Sequence, residues 1–468
     1  METRREFIAK ASAIGYLTTN LFTGKVRGAN DRLSFGHIGL GQQGQGLMSA
    51  CLNGPRREVK AICDPFKPVL EMAESKIKKA ERGGVKKYKD YRELLERKDI
   101  DAVVIATPDH WHAIITVNAC KAGKDVYVEK PVSNRINEGY AMVKAARKYN
   151  KVVQVGTQQR SMRVFQNAVA IVQSGVLGEI YRVKAGIYGD GSIGHPPDIL
   201  IPKTLDWDQW LGPSPMHKFN ENRFGYELMA NGYPKLTEKG GFTRWGTWRY
   251  FKDHGGGKVT DWGVHLLDVV LWAMNERGPI WADTEFAKYI IGDNREFPND
   301  IRIKYGFPNF FCVFESMTEN KGDWSKTKDG RDRSHGIEFL GTKGKLFVNR
   351  DYYETDLYSY KDAPPDRIFV GNYDDEYDSK KVPAQALRTQ LPPDKESHFD
   401  NFENCIRTRS LPVSDIEVGN NSTVMCHLGN LSNKVGRIFW DHEKREVYPA
   451  VLPELINPQE RFPWKLKV

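Results

Sequence analysis

The sequence predicts an α/β chain: a doubly wound parallel sheet in its N-terminal third, then an α/β domain with an open, mostly antiparallel sheet. Three observations predict this. A short β-like run ends in closely spaced glycines and enters a helical pattern. Wholly apolar short runs then alternate with helical periodicity as far as Gly156. Beyond Ile280 the chain turns to β-rich segments. At 468 residues the chain can bury more than one core. We expect a leader over 1–32, a nucleotide-binding domain over 33–160 and a substrate domain over 161–468.

Composition excludes several classes. The net charge of +9 comes from 69 basic and 60 acidic residues that are interleaved, and the cluster Lys76 to Lys79 reads as a solvated helix face. Nucleic acid is therefore not an expected partner. The six cysteines show neither a C-x-x-C pair nor a zinc spacing, so buried thiols are expected. No segment has the length of a membrane span, and no membrane partner is expected.

The first element runs from Leu33 to Ile38 and leads into Gly39-Leu-Gly41-Gln-Gln43-Gly44. A G-x-G-x-x-G between strand and helix is a dinucleotide-binding fingerprint. Gly39 allows the tight turn, Gly41 lets the backbone approach a pyrophosphate, and Gly44 lets helix and strand pack closely, with Gln43 beside them. The helix N-terminus offers its free N–H groups to the phosphates. The next strand, Glu58 to Asp64, places a carboxylate twenty residues after Gly44, where it accepts a ribose 2′-hydroxyl and repels a 2′-phosphate. This makes the expected domain a Rossmann domain and its cofactor NAD.

Helices near 68–82 and 91–97 precede the apolar strand Ala102 to Ala106, which delivers Thr107, Pro108 and His112 to the carboxyl edge where such sheets bind ligands. His110 and His112 lack the Cys or carboxylate neighbours of a metal site and are read as loop residues near the cofactor, ahead of a helix over 113–122. No metal is expected. The strand from Gly123 ends in Glu129-Lys130-Pro131, and Lys130 is placed to hold a substrate hydroxyl. After the strand Lys151 to Gly156, Gln158 and Arg160 carry groups that can bond sugar hydroxyls.

A Pro-, Trp- and Gly-rich stretch spans 195–257, and its four tryptophans (Trp207, Trp210, Trp245, Trp248) either stack on sugars or pack the stretch itself; none is assigned to a site. Asp261, His265 and Asp268 then stand at i, i+4 and i+7, one face of an otherwise apolar helix. A histidine suits proton transfer near neutral pH, and a nearby carboxylate can orient its ring. Strands are expected at 301–305, 309–315, 336–340 and 344–348. A polar surface excursion follows over 351–395, and then two helices containing 397–407 and 424–430.

The glycines, Asp64, Ala106-Thr-Pro108, His112 and Glu129-Lys130-Pro131 together resemble the nucleotide-binding half of the Gfo/Idh/MocA oxidoreductases. That resemblance implies that Lys130 lies beside the nicotinamide and acts in catalysis with Asp261 and His265. Asp268 is left with a buttressing role. It implies hydride transfer between a sugar, glycoside or polyol hydroxyl and NAD, in a chain that pairs with copies of itself. Two alternatives stand beside it: an NAD-dependent glycoside hydrolase working through a transient 3-keto sugar, and a noncatalytic sugar-binding protein. The family's exported N-acetylgalactosaminidases resemble the chain in fold but lack the E-K-P lysine, so Lys130 favours a dehydrogenase. Arg4-Arg5 and the small apolar stretch after them resemble a twin-arginine export signal, interrupted by Thr18, Thr19 and Asn20. Export implies a periplasmic or otherwise exported protein with a tightly held cofactor. A leader that does not function implies the cytoplasm.

Overall fold

The computed structural model describes residues 32–80, 84–318, 333–358, 369–372 and 396–468. The proposed leader lies outside them, Arg32 excepted. Leu33–Ile38 (β1), Arg57–Cys63 (β2), Lys86–Tyr88 (β3), Ala102–Ile105 (β4), Asp125–Val128 (β5) and Val153–Val155 (β6) form one parallel sheet in the order β3-β2-β1-β4-β5-β6. This is the order of a doubly wound dinucleotide fold, with its switch point at β1 and β4. The apolar runs are strands covered on both faces: β4 and β5 are buried at every position. The helices are Gln42–Asn53 (α1), Lys67–Lys79 (α2), Tyr91–Leu95 (α3), Asp109–Lys121 (α4) and Ile136–Lys148 (α5).

The second sheet has ten strands. Ile180–Tyr188 (β7), Trp281–Lys288 (β8), Asp300–Gly306 (β9), Phe311–Met317 (β10), His335–Gly341 (β11), Gly344–Val348 (β12), Tyr352–Leu357 (β13), Phe369–Asn372 (β14), Ile438–Asp441 (β15) and Glu446–Tyr448 (β16) run in the order β14-β13-β12-β11-β7-β10-β9-β8-β15-β16. Only β7 and β10 pair in parallel among these strands. Helices Arg163–Gln173 (α6), Val264–Met274 (α7) and Ile416–Val435 (α9) pack on one face to build the largest core, which includes Phe165, Leu267, Ile303, Phe314, Phe339 and Leu428. The segment read as a surface excursion continues this sheet at β13 and β14, where Tyr353 joins the largest core and Tyr352 is buried in a separate cluster with Tyr188, Met317 and Phe347. Residues 359–368 and 373–395 of that segment lie outside the described ones.

The two sheets divide near residue 160, but the C-terminal chain returns to the first. Helix His398–Thr408 (α8) places Phe399 and Phe402 against Phe35 and Tyr127, with ring centroids 5.5 to 6.3 Å apart. A buried ion pair, Arg57 to Glu403 at 2.6 Å, fixes the same contact. The stretch between β7 and α7 also packs on the nucleotide domain. Trp207 and Trp210 stack at 4.7 Å and join Phe66, Phe219 and Phe224 in one core, and Leu205 bridges to Phe66. The six cysteines are buried thiols. Among the described residues no helix is long and apolar enough to cross a membrane.

Candidate active site

The glycines explain themselves at atomic scale. Gly39 has φ +87°, and a Cβ there would lie 2.6 Å from the Ala106 carbonyl carbon and oxygen. A Cβ on Gly44 would meet the Gly39 carbonyl oxygen at 2.0 Å, so α1 can sit this close to β1 only with glycine there. Gly41 caps α1 with no side-chain partner for its N–H groups, and no acidic residue occupies the first turn, so the helix end is open to a phosphate. A Cβ on Gly41 would meet a hydroxyl 2.6 Å away, that of Tyr226 from the stretch after β7.

Asp64 follows β2 and accepts hydrogen bonds from the N–H groups of Leu40 (2.8 Å) and Phe66 (2.9 Å). It therefore secures the glycine turn while lining the same cleft. Burial pushes its pKa up to about 6, against those two amides. Glu129, also on the wall and also raised by burial, accepts from Gln43 Nε2 at 2.8 Å and so ties α1 to the end of β5. Thr107 and Pro108 line the cleft, and the Thr107 hydroxyl is buried without a partner. His112 is not on this wall. Helix α4 begins at Asp109, four residues earlier than expected, so His110 and His112 are helical and buried. The His112 ring faces the carbonyl oxygens of Pro131 (Nδ1, 2.7 Å) and Thr107 (Nε2, 3.0 Å), and burial lowers its pKa to about 4. It joins the two loops behind the cleft.

The cleft, about 970 Å³, has a second wall from the stretch after β7: Trp210, Tyr226, Trp245, Trp248 and Arg249. None of these was assigned from the sequence, because the stretch has no period and its aromatics serve a core equally well. The one local signal is Trp245-x-x-Trp248-Arg249, in which the guanidinium lies over both indoles, at 5.2 and 4.3 Å.

Lys130 stands where the cleft meets the second domain. Its Nζ donates to Asp261 Oδ1 at 2.8 Å and to the Asp261 carbonyl at 2.9 Å. Arg249 Nε lies 2.9 Å from the same Oδ1. Burial alone would raise the Asp261 carboxyl, but Lys130 and Arg249 hold it well below the usual carboxylate range. Val259–Gly263 forms a π turn ahead of α7, so Asp261 lies on the π turn and His265 and Asp268 on the α-helix. Asp261 Oδ1 is engaged by Lys130 and Arg249, and its charge also bears on His265. His265 is buried, its Nδ1 without a partner, and burial followed by the charge of Lys130 pushes its pKa well below 6.5.

The other polar residues divide. Asp268 is fully buried and pairs with Arg160 (Nε 2.7 Å, second nitrogen 3.0 Å) and with the Ser422 hydroxyl (2.7 Å). Arg160, expected at a substrate, is spent on this pair. Gln158 lies on a short 3₁₀ turn with its Oε1 buried and unpartnered. Among the described residues no group of three or more His, Cys, Asp or Glu side chains converges as metal ligands would.

Residues 33–157 match the Gfo/Idh/MocA model, described as an oxidoreductase family with an NAD-binding Rossmann fold. A glycosyl hydrolase family 109 protein of Shewanella sp. (strain W3-18-1) is 29% identical over 206 residues, covering 39% of this chain and 45% of its own length. Glycosyl hydrolase family 109 protein 1 of Shewanella sp. (strain ANA-3) is 32% identical over 154 residues, or 32% of this chain and 34% of its own. The chain thus spans less than half the length of these curated relatives. Among solved structures, the WlbA dehydrogenase from Bordetella pertussis in complex with NADH and UDP-GlcNAcA aligns with TM-score 0.58 and 18% identity over 88% of this chain and 99% of that one. Levoglucosan dehydrogenase in complex with NADH gives 0.59 and 19% over 90% and 100%. Aldose-aldose oxidoreductase from Caulobacter crescentus gives 0.58 and 16% over 87% and 99%. At these identities the structures share the fold of both domains.

Proposed function

Proceeding from residues 33–157 as the NAD-binding Rossmann domain of the Gfo/Idh/MocA oxidoreductase family, we propose that the chain oxidises a hydroxyl of a sugar, glycoside or polyol. The observation that carries this reading is the Lys130 ammonium on the cleft wall, held by Asp261, with a neutral His265 one turn further on. The residues suit NAD: an open helix end, a Gly39 turn, an unpartnered Thr107 hydroxyl and a carboxylate at Asp64. Bound NAD supplies the hydride acceptor.

The chain's own groups supply placement and proton transfer. An ammonium has three N–H donors, and Lys130 spends two on Asp261. The third is left for the oxygen of the reacting hydroxyl, whose negative charge it stabilises as the proton leaves. Arg249 fixes Asp261 from the other side and so keeps Lys130 aimed. His265 is neutral at ordinary pH and its buried Nδ1 has no partner, so it is the base that takes the proton; its depressed pKa means that it holds the proton weakly and passes it on.

The family 109 relatives support a second reading, glycoside cleavage through a transient keto sugar, in which the same three residues perform the first oxidation. The second reading suits a cofactor that stays in place, as does the first where a second sugar's carbonyl takes the hydride back, and the aromatic second wall over the glycine turn supports a captive cofactor. A captive cofactor also suits export by the twin-arginine route, and fractionation of expressing cells checks that proposal. The deciding experiment releases and identifies whatever nucleotide the protein carries when purified without added NAD, then follows a sugar panel for net NADH. Captive NAD(H) with product but no net NADH supports redox-neutral chemistry, an empty protein that accumulates NADH supports a simple dehydrogenase, and neither product nor NADH with any sugar overturns both.

A further inference from the structure

The turn between β12 and β13 carries Arg350, a residue to which nothing above gives a role. Asn349 fixes the turn: its Oδ1 accepts from the N–H groups of Asp351 and Tyr352, both at 2.9 Å, and its own N–H donates to the Tyr352 carbonyl at 3.0 Å. The Arg350 guanidinium lies over the Trp262 ring, 4.5 Å from its centroid. Trp262 is the residue after Asp261, and its ring centroid is 6.1 Å from that of His265. Arg350 Nε is buried without a hydrogen-bond partner, and among the described residues Arg350 makes no ion pair. Burial lowers its pKa, and its charge in turn bears on His265 and Asp261.

Lys130 and Arg249 hold the Asp261 carboxylate directly, and Arg350, stacked on the neighbouring Trp262, adds a further cation to the same corner of the site. A guanidinium pinned by a turn, stacked on an indole and short of acceptors is a poor structural element, because each unmet buried N–H is a cost. It is a good half of a complex with an oxyanion, whose paired oxygens match the guanidinium fork. We propose that Arg350 binds an anionic oxygen group carried by the substrate, a carboxylate or a phosphate, so that the site selects acidic over neutral sugars. This rests on the sugar oxidoreductase reading given above.

The test titrates NADH-loaded protein with D-glucuronate, D-glucose 6-phosphate and D-glucose, reading nicotinamide fluorescence. At least one acidic sugar binds about tenfold or more tightly than glucose, the gap that one charge-assisted hydrogen bond provides. Which one binds separates carboxylate from phosphate. Arg350→Met removes the preference while leaving glucose affinity unchanged, and Arg350→Lys, which keeps the charge, retains most of it. Glucose binding as tightly as both acidic sugars, or a preference that survives Arg350→Met, overturns the assignment. Nicotinamide absorbance with oxidised cofactor reads the parent proposal separately. Sugars oxidised without regard to charge overturn Arg350 alone, acidic sugars bound but never oxidised overturn the oxidoreductase reading alone, and no binding by any of the three overturns both.

Discussion

Asp261 and Asp268 stand seven residues apart on one segment, and each meets a cation from the chain that leads out of the nucleotide domain. Asp268 meets Arg160, with side chains 0% and 9% exposed, and Ser422 accounts for a further lone pair. Asp261 meets Lys130 and Arg249, with Lys130 10% and Asp261 itself 23% exposed, and an unpartnered imidazole nitrogen lies on the next turn. The first cluster is dry and its hydrogen bonds close on themselves. The second carries one cation more than carboxylates and leaves donors and acceptors over. Charge alone does not mark a site; what marks it is hydrogen-bonding capacity left unspent at an opening.

Breaking the closed cluster should cost stability. Asp268→Ala leaves Arg160 buried and unpaired, a loss of about 3–5 kcal/mol in urea unfolding. If the protein keeps its stability but loses activity, the two clusters have been assigned the wrong way round. Lys130→Ala should do the reverse, lowering the rate of hydride transfer by about 10²–10⁴ while NAD stays bound and the unfolding midpoint barely moves. An unaffected rate removes Lys130 from the mechanism.

Asp64→Asn sharpens the contrast within the nucleotide domain. It removes a charged acceptor from the cleft, and NAD affinity by calorimetry should fall about 10- to 100-fold. Each Asp64 oxygen accepts from one backbone amide, so the Asn side chain turns an NH2 donor toward one of them, and the nucleotide-free protein should lose about 1–3 kcal/mol in denaturant unfolding. His112 gives an effect confined to acidic pH, with a defined sign. Its folded pKa is about 4 against 6.5 unfolded, so the unfolded chain binds the extra proton, and stability is present above pH 6.5 and lost as pH falls toward 4. His112→Gln should flatten that decline by about 1.4 kcal/mol per pH unit across the window, measured by denaturant unfolding at stepped pH.

What the sequence made legible was local. The glycine turn, Asp64 and the Glu129-Lys130-Pro131 edge each follow from a few adjacent residues whose backbone geometry allows few substitutes, as the 2.0 Å clearance at Gly44 shows. Strands β9 to β12 of the second sheet were readable as β-rich segments, whereas β13 and β14 were read as a surface excursion. The partners were not. Arg160 reaches Asp268 across 108 residues and Arg57 reaches Glu403 across 346, separations over which a pattern of residues carries no pairing information. The π turn at Val259–Gly263 was hidden because its residues also satisfy an α-helical period. Arg249 and Tyr226 were missed because they lie in an aperiodic stretch whose aromatics pack as a core.

That stretch has a kinetic consequence. Tyr226, Trp245, Trp248 and Arg249 wall the nucleotide cleft, and the stretch that carries them is sewn to the Rossmann domain through Phe66, Trp207 and Phe224. If the cofactor is captive, as proposed above, a nucleotide beneath it leaves when part of that shared core opens. Its residence time is then the lifetime of a local fold and not the strength of its own contacts, and agents that loosen packing, such as mild urea or warming, should hasten exchange far more than salt.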